Sequence, residues 1–278
     1  MKSSELQALI SLLDDHDPIV EQHVREKLLS LGEEVIPTLE AAWENQTMSH
    51  LQTYLEDIIH LIQSDGTVKS LVAWKRSGGE SLLEGWFWVT KYLYAGLEMD
   101  RFRTELTRLT SRIWLEMRSG MSLMDRLAVV NTMLFNREHF RTVRKQVPEP
   151  VQFLLNGLFD SKRGTSLSVG MLYLLVCQDL ELPIQGIVLP GYFILTHQGV
   201  DEEFFIDVHN KGAFFPRKDL TRFLKELRIQ DEPRYYQPSS HQQIILGLIQ
   251  SLLRIYQHGR KDQRVRQFNQ LLEAYVTD

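Results

Sequence analysis

Apolar residues recur at helical spacing through most of the chain and change to a strand-like run only between residues 184 and 208. Leu6, Leu9, Ile10 and Leu13 share one helical face, and Val20, Val24, Leu28 and Leu31 continue the period. Asp17-Pro18 predicts an N-cap followed by proline in the first turn, and Gly32 predicts the end of that helix. A third helix carries Val35, Ile36 and Leu39, and a fourth carries Leu51, Tyr54, Leu55, Ile58 and Leu61. Four short amphipathic helices joined by tight turns predict a helical-repeat segment over residues 1–65.

The helical period continues from 66 to 160. Gly78-Gly79 marks a turn, after which Trp86, Phe87, Trp88, Tyr92 and Tyr94 form an aromatic helix expected in the core. Helices over 101–117, 122–134 and 151–158 follow, the last introduced by Pro148 and Pro150. Residues 163–183 read as a turn, a capped helix start, an apolar helix and an exit into a strand. Strands are predicted at 184–189, 192–196 and 203–208, as a small antiparallel sheet packed on that helix. Helix returns over 217–227. A proline-bearing linker, 231–240, leads to helices over 240–257 and 261–276, joined at His258-Gly-Arg-Lys261. The fold class is therefore α+β and predominantly helical, divided into a helical segment 1–65, a core 66–230 and a helix hairpin 240–278.

The composition narrows the function classes. At 278 residues, 43% apolar and 24% charged, the chain is ordinary for a globular protein and long enough to bury a core. A net charge of −5 argues against general nucleic-acid binding, and the basic run Arg260 to Arg266 is expected to be a solvated helix face. The single cysteine, Cys177, allows no intramolecular disulfide and no cysteine-rich zinc site. Beside Leu174, Leu175 and Val176 it is expected to be a buried small hydrophobe. The N-terminal residues lack an apolar signal core, and no apolar run reaches the roughly 18 residues that span a bilayer. A cytoplasmic protein without a membrane partner is expected. Neither a paired-histidine zinc motif nor a calcium-type carboxylate loop nor a phosphate-binding glycine loop is present, so no metal and no cofactor is expected.

Three motifs carry candidate chemistry. They are Arg163-Gly-Thr-Ser-Leu-Ser168 leading to Leu182-Pro183, Leu189-Pro-Gly-Tyr-Phe-Ile-Leu195, and Phe205-Ile-Asp-Val-His-Asn-Lys-Gly212. In order and spacing, residues 70 to 275 resemble the SirB-type transglutaminase-like family. That family usually reads Pro-Gly-His-Phe in the second motif and Ile-Asp-Pro before a glycine turn in the third. The segments Leu12 to Val20 and Leu31 to Leu39 resemble a HEAT-type repeat, and the terminal hairpin resembles a tetratricopeptide pair.

The resemblance implies a transglutaminase/papain-like core. In that superfamily a helix-capping cysteine attacks, a histidine takes its proton and an aspartate orients the histidine. Those positions fall here on Ser166, Tyr192 and Asp207. A serine hydroxyl is far less acidic than a thiol, and tyrosine is protonated near neutral pH, so the set lacks a proton acceptor. A hairpin turn centred between Gly199 and Val200 would make Tyr192 and Asp207 direct cross-strand neighbours, with His197 on the other face and His209 in a turn. Cys177 lies eleven residues from Ser166, roughly 16 Å along the helix. Structural roles are expected instead: Ser166 or Thr165 as an N-cap, Tyr192 bonded to Asp207, and Gly191 and Gly212 in turns. The expected function is a catalytically inactive transglutaminase-like module that binds a protein or peptide partner. Two alternatives stand beside it: an acyl-transfer or amide-hydrolysing enzyme using Ser166, and a helical scaffold with no cleft between the Ser166 helix and the Tyr192 strand.

Overall fold

The helical period of the first 65 residues is expressed as α1 (Ser3–Ser11), α2 (Pro18–Leu31), α3 (Ile36–Asn45) and the start of α4 (Ser49–Arg76). The structure, a computed structural model, describes residues 3–14, 18–45, 49–143, 147–199 and 203–277. The cap expected at Asp17 lies outside the described residues. Leu28, Leu39, Leu55 and Ile58, spaced for one face of each helix, are buried together with Val24 and Ile62. They form the core of the first of two compact units, Met1–Leu71 with Lys91–Leu97. The unit boundary falls inside α4.

The second unit comprises Val72–Thr90 and Glu98–Asp278. Its helices are most of α5 (Leu82–Leu93), then α6 (Met99–Glu116), α7 (Leu123–Asn131), α8 (Leu155–Ser161), α9 (Ser166–Asp179), α10 (Arg217–Glu226), α11 (His241–His258) and α12 (Asp262–Thr277). Beyond α7 the coil widens into a π-turn over Thr132–Arg137. Two short strands, β1 (Arg141–Thr142) and β2 (Arg163–Gly164), pair in parallel just before α9. The main sheet is antiparallel in the order β3 (Gln185–Leu189), β4 (Tyr192–Gln198), β5 (Glu203–Asp207) and β6 (Ala213–Pro216). The chain is thus α+β and predominantly helical. Among the described residues no helix is long and apolar enough to cross a membrane.

The sequence pattern gave three strands, and the sheet has four. β6 is four residues long and ends in proline, so its ladder is too short to show alternation. It is set by the turn before it. Lys211 and Gly212 both take positive φ, and the Gly212 N–H donates to the Asp207 carbonyl at 2.9 Å.

Helix α9 is apolar all round because it is enclosed all round: every residue from Ser166 to Cys177 is buried. It lies on the sheet through Gly170, where any Cβ would overlap the Phe193 ring. Gly186 on β3 leaves room for the far edge of the same ring. Burying Phe193 completely contributes roughly 1.5–3 kcal/mol. The opposite face of the sheet, with Ile187, Ile194 and Phe205, packs on Leu220 and Leu224 of α10. Helix α11 approaches β3 where Gly247 meets Val188.

The outer edge of β3 does not stand open. The Ser239 N–H donates to the Gly186 carbonyl at 2.8 Å, the Val188 N–H donates to Ser239 Oγ at 3.1 Å, and Pro190 offers no N–H. A blocked edge resists pairing with another strand.

Candidate functional site

The head of α9 is fixed by a reciprocal cap. Ser168 N–H donates to Thr165 Oγ1 at 3.2 Å, and Thr165 N–H donates to Ser168 Oγ at 2.9 Å. Ser168 Oγ also donates to the Gln152 carbonyl at 2.7 Å. Thr165 is therefore the N-cap, and of the two residues considered for that role Ser166 is excluded. Ser166 is the first helical residue, 8% exposed, and its hydroxyl makes no hydrogen bond among the described residues.

Tyr192 and Asp207 come together, but not as direct neighbours. The ladder pairs Leu195 with Ile206 and Gln198 with Glu203, which places Ile194 opposite Asp207. The expected register, with a turn centred between Gly199 and Val200, is off by two positions; Val200 lies outside the described residues. A shift of two preserves the face, so the long Tyr192 side chain still reaches its diagonal neighbour. Its hydroxyl donates to Asp207 Oδ1 at 3.0 Å, and the His209 backbone N–H donates to the same oxygen at 2.9 Å.

Strand alternation decides what this pair faces. Phe193 points at Gly170 of α9, so Tyr192 points the other way. Its ring lies 5.4 Å from the Phe223 ring of α10 and 5.8 Å from the His209 ring. Ser166 heads the helix on one face of the sheet, while Tyr192 and Asp207 sit on the other. His197 is turned from Tyr192, with Nδ1 2.9 Å from the Pro183 carbonyl and its ring 5.2 Å from Phe204. Cys177 is fully buried, and burial pushes its thiol well above the ordinary range, as its apolar neighbours predicted.

Around the β3–β4 turn runs a groove of about 680 Å³. Ser166 reaches it from one side of the hairpin and Tyr192 and Tyr235 from the other, while residues 237–239 and one stripe of α11 close it. Among the described residues no histidine, cysteine, aspartate or glutamate lines it, and the charged lining residues are Arg234 and Arg254. The sequence motifs did not reveal these two arginines or the α11 stripe. They stand more than 60 residues from Ser166 and meet it only through folding. Among the described residues no group of three or more His, Cys, Asp and Glu side chains is placed to hold a metal ion.

A family model described as the transglutaminase-like superfamily matches residues 100–250, just over half of the chain, and includes Ser166, Tyr192 and Asp207. The chain belongs to the transglutaminase-like superfamily. Proteins named UPF0162 from two strains of Xylella fastidiosa, 9a5c and Temecula1, are 22% and 21% identical to it over 155 residues. That is 53% of this chain and 55% of each relative, so the chain spans about half the length of the curated relatives it matches. No solved structure matches. Within the matched residues Ser166 heads α9 and Asp207 ends β5, with Tyr192 at the start of β4.

Proposed function

We propose that this is a SirB-type transglutaminase-like protein that binds a protein or peptide segment in the groove beside Ser166 without turning it over. One observation carries the reading. Among the described residues, Ser166 opens onto a groove lined by no side chain that takes up a proton near neutral pH, while Tyr192 and Asp207 bond one another on the opposite face of the sheet. A serine without an adjacent base is a weak nucleophile. The HEAT-like helices of residues 1–65 and the tetratricopeptide-like hairpin of α11 and α12 would add binding surface. A groove at this place argues against a purely structural scaffold, which would have none.

The second reading, acyl transfer by Ser166, is favoured by its unbonded hydroxyl at the positive end of a helix. A serine-directed fluorophosphonate probe separates the two. The wild-type protein should stay unlabelled; labelling that disappears in Ser166→Ala would establish a working nucleophile. A pulldown with and without residues 1–65 tests the helical arm, and equal recovery would remove it from the binding surface.

A further inference from the structure

We propose that the groove selects an extended peptide segment carrying an acidic side chain, held through Arg254; this rests on the binding reading above. Gln243, Gly247, Gln250 and Arg254 recur at three or four residues along α11, so they form one stripe on the groove wall. From Gln243 to Arg254 the stripe runs about 16 Å at 1.5 Å per residue. That length accommodates about five residues of extended chain at roughly 3.3 Å each. Facing the stripe, Val188, Leu189 and Pro190 supply apolar wall.

The two cations among the described lining residues differ. Arg234 is already engaged: Nε lies 2.9 Å from Glu232 Oε2, and the guanidinium stacks over Tyr235 at 5.0 Å. Arg254 forms no ion pair among the described residues and reaches only Ser251 Oγ, at 3.4 Å. No carboxylate lines the groove among the described residues, so the exposed Arg254 guanidinium keeps donors open toward an occupant. The chain as a whole carries −5, so this positive point is local and opposite in sign to the protein around it.

Backbone pairing is not the route of recognition. The Gly186 carbonyl and the Val188 N–H of β3 are taken by Ser239, and Pro190 removes the next donor. A strand cannot simply add here, which leaves side-chain contacts to choose the occupant. A guanidinium bonded to a carboxylate gives the largest such preference.

The test uses the full chain on an array of immobilised decapeptides with each position randomised in turn. The wild type should enrich Asp and Glu at one position and apolar residues nearby. Arg254→Gln should lose the acidic preference, Arg254→Glu should turn it toward Lys and Arg, and Arg254→Lys should keep it. For the best soluble peptide, Arg254→Gln should weaken affinity about ten- to a hundredfold, measured by fluorescence anisotropy. Arg260→Gln, in the α11–α12 connection outside the groove, should leave it unchanged. Enrichment without an acidic preference, or an acidic preference surviving in Arg254→Gln, would overturn this inference and leave peptide binding standing. Displacement of the peptide by free glutamate at equal concentration would mean a small-acid site and would overturn it too. No enrichment of any peptide would overturn both.

Discussion

Tyr192 and Asp207 are joined by a 3.0 Å hydrogen bond although Ile194, not Tyr192, stands opposite Asp207 in the sheet. The bond is a diagonal one. It closes the open end of the β4–β5 pair, where the strand leaves the ladder for the turn through His209. The two residues brace the sheet against α10.

Tyr192→Phe should therefore cost about 1 kcal/mol of stability, the ordinary net worth of one such bond. Asp207 Oδ1 keeps the His209 N–H, so the loss should not approach that of a stranded charge. Thermal or urea unfolding measures it. An unchanged transition would mean that water replaces the tyrosine at no cost and that the brace has no energetic role.

The α9 cap gives a contrast between adjacent residues. Thr165→Ala should destabilise by about 1 kcal/mol, because Ser168 N–H loses its acceptor at a buried helix end. Ser166→Ala should change the urea midpoint little, since its hydroxyl bonds nothing among the described residues. The opposite ranking would assign the cap to Ser166 and remove its candidacy as a groove residue.

Reconstructing the thiol tests the two-face arrangement. Ser166→Cys should alkylate faster than Cys177, whose fully buried thiol is held protonated by its apolar surroundings. Adding Tyr192→His should leave the rate and its pH profile unchanged, because that side chain points toward Phe223 and away from α9. A pH profile displaced to lower pH by the second substitution would show an imidazole reaching the thiol, against the geometry described.

Tyr173 makes the pH prediction. Its hydroxyl is buried with no hydrogen-bond partner among the described residues, and its ring is stacked on Phe135 at 6.4 Å. Burial raises its pKa well above the ordinary tyrosine value, with Cys177 adding to the shift. A raised folded pKa means the stability is intact below the unfolded value near 10 and is lost as pH rises above it. Tyr173→Phe should thus be neutral or stabilising at pH 7 and should flatten the alkaline limb of a stability–pH curve. Marked destabilisation at pH 7 would reveal a partner for the hydroxyl.

Much of the core was legible because its signals are local. The Thr-Ser-Leu-Ser start of α9, the apolar run behind it and the Pro-Gly turn between β3 and β4 each fix their own conformation within a few residues. β6 was not legible, since four residues ending in proline show no period. The β4–β5 register was missed for a different reason. It depends on the length of the connection, and the sequence pattern is satisfied equally by any shift of two.

By itself, the sequence determined most of the elements, the face each strand residue takes and the absence of a thiol or an imidazole at residues 166, 192 and 207. Those follow from periods of 2 and 3.6 and from residue identity, which are properties of short segments. The fold alone decided that Phe193 and not Tyr192 meets α9, and that Arg254 comes to the groove beside Ser166. Side chains far apart along the chain are brought together by burial of the core, a many-body outcome that no local spacing encodes.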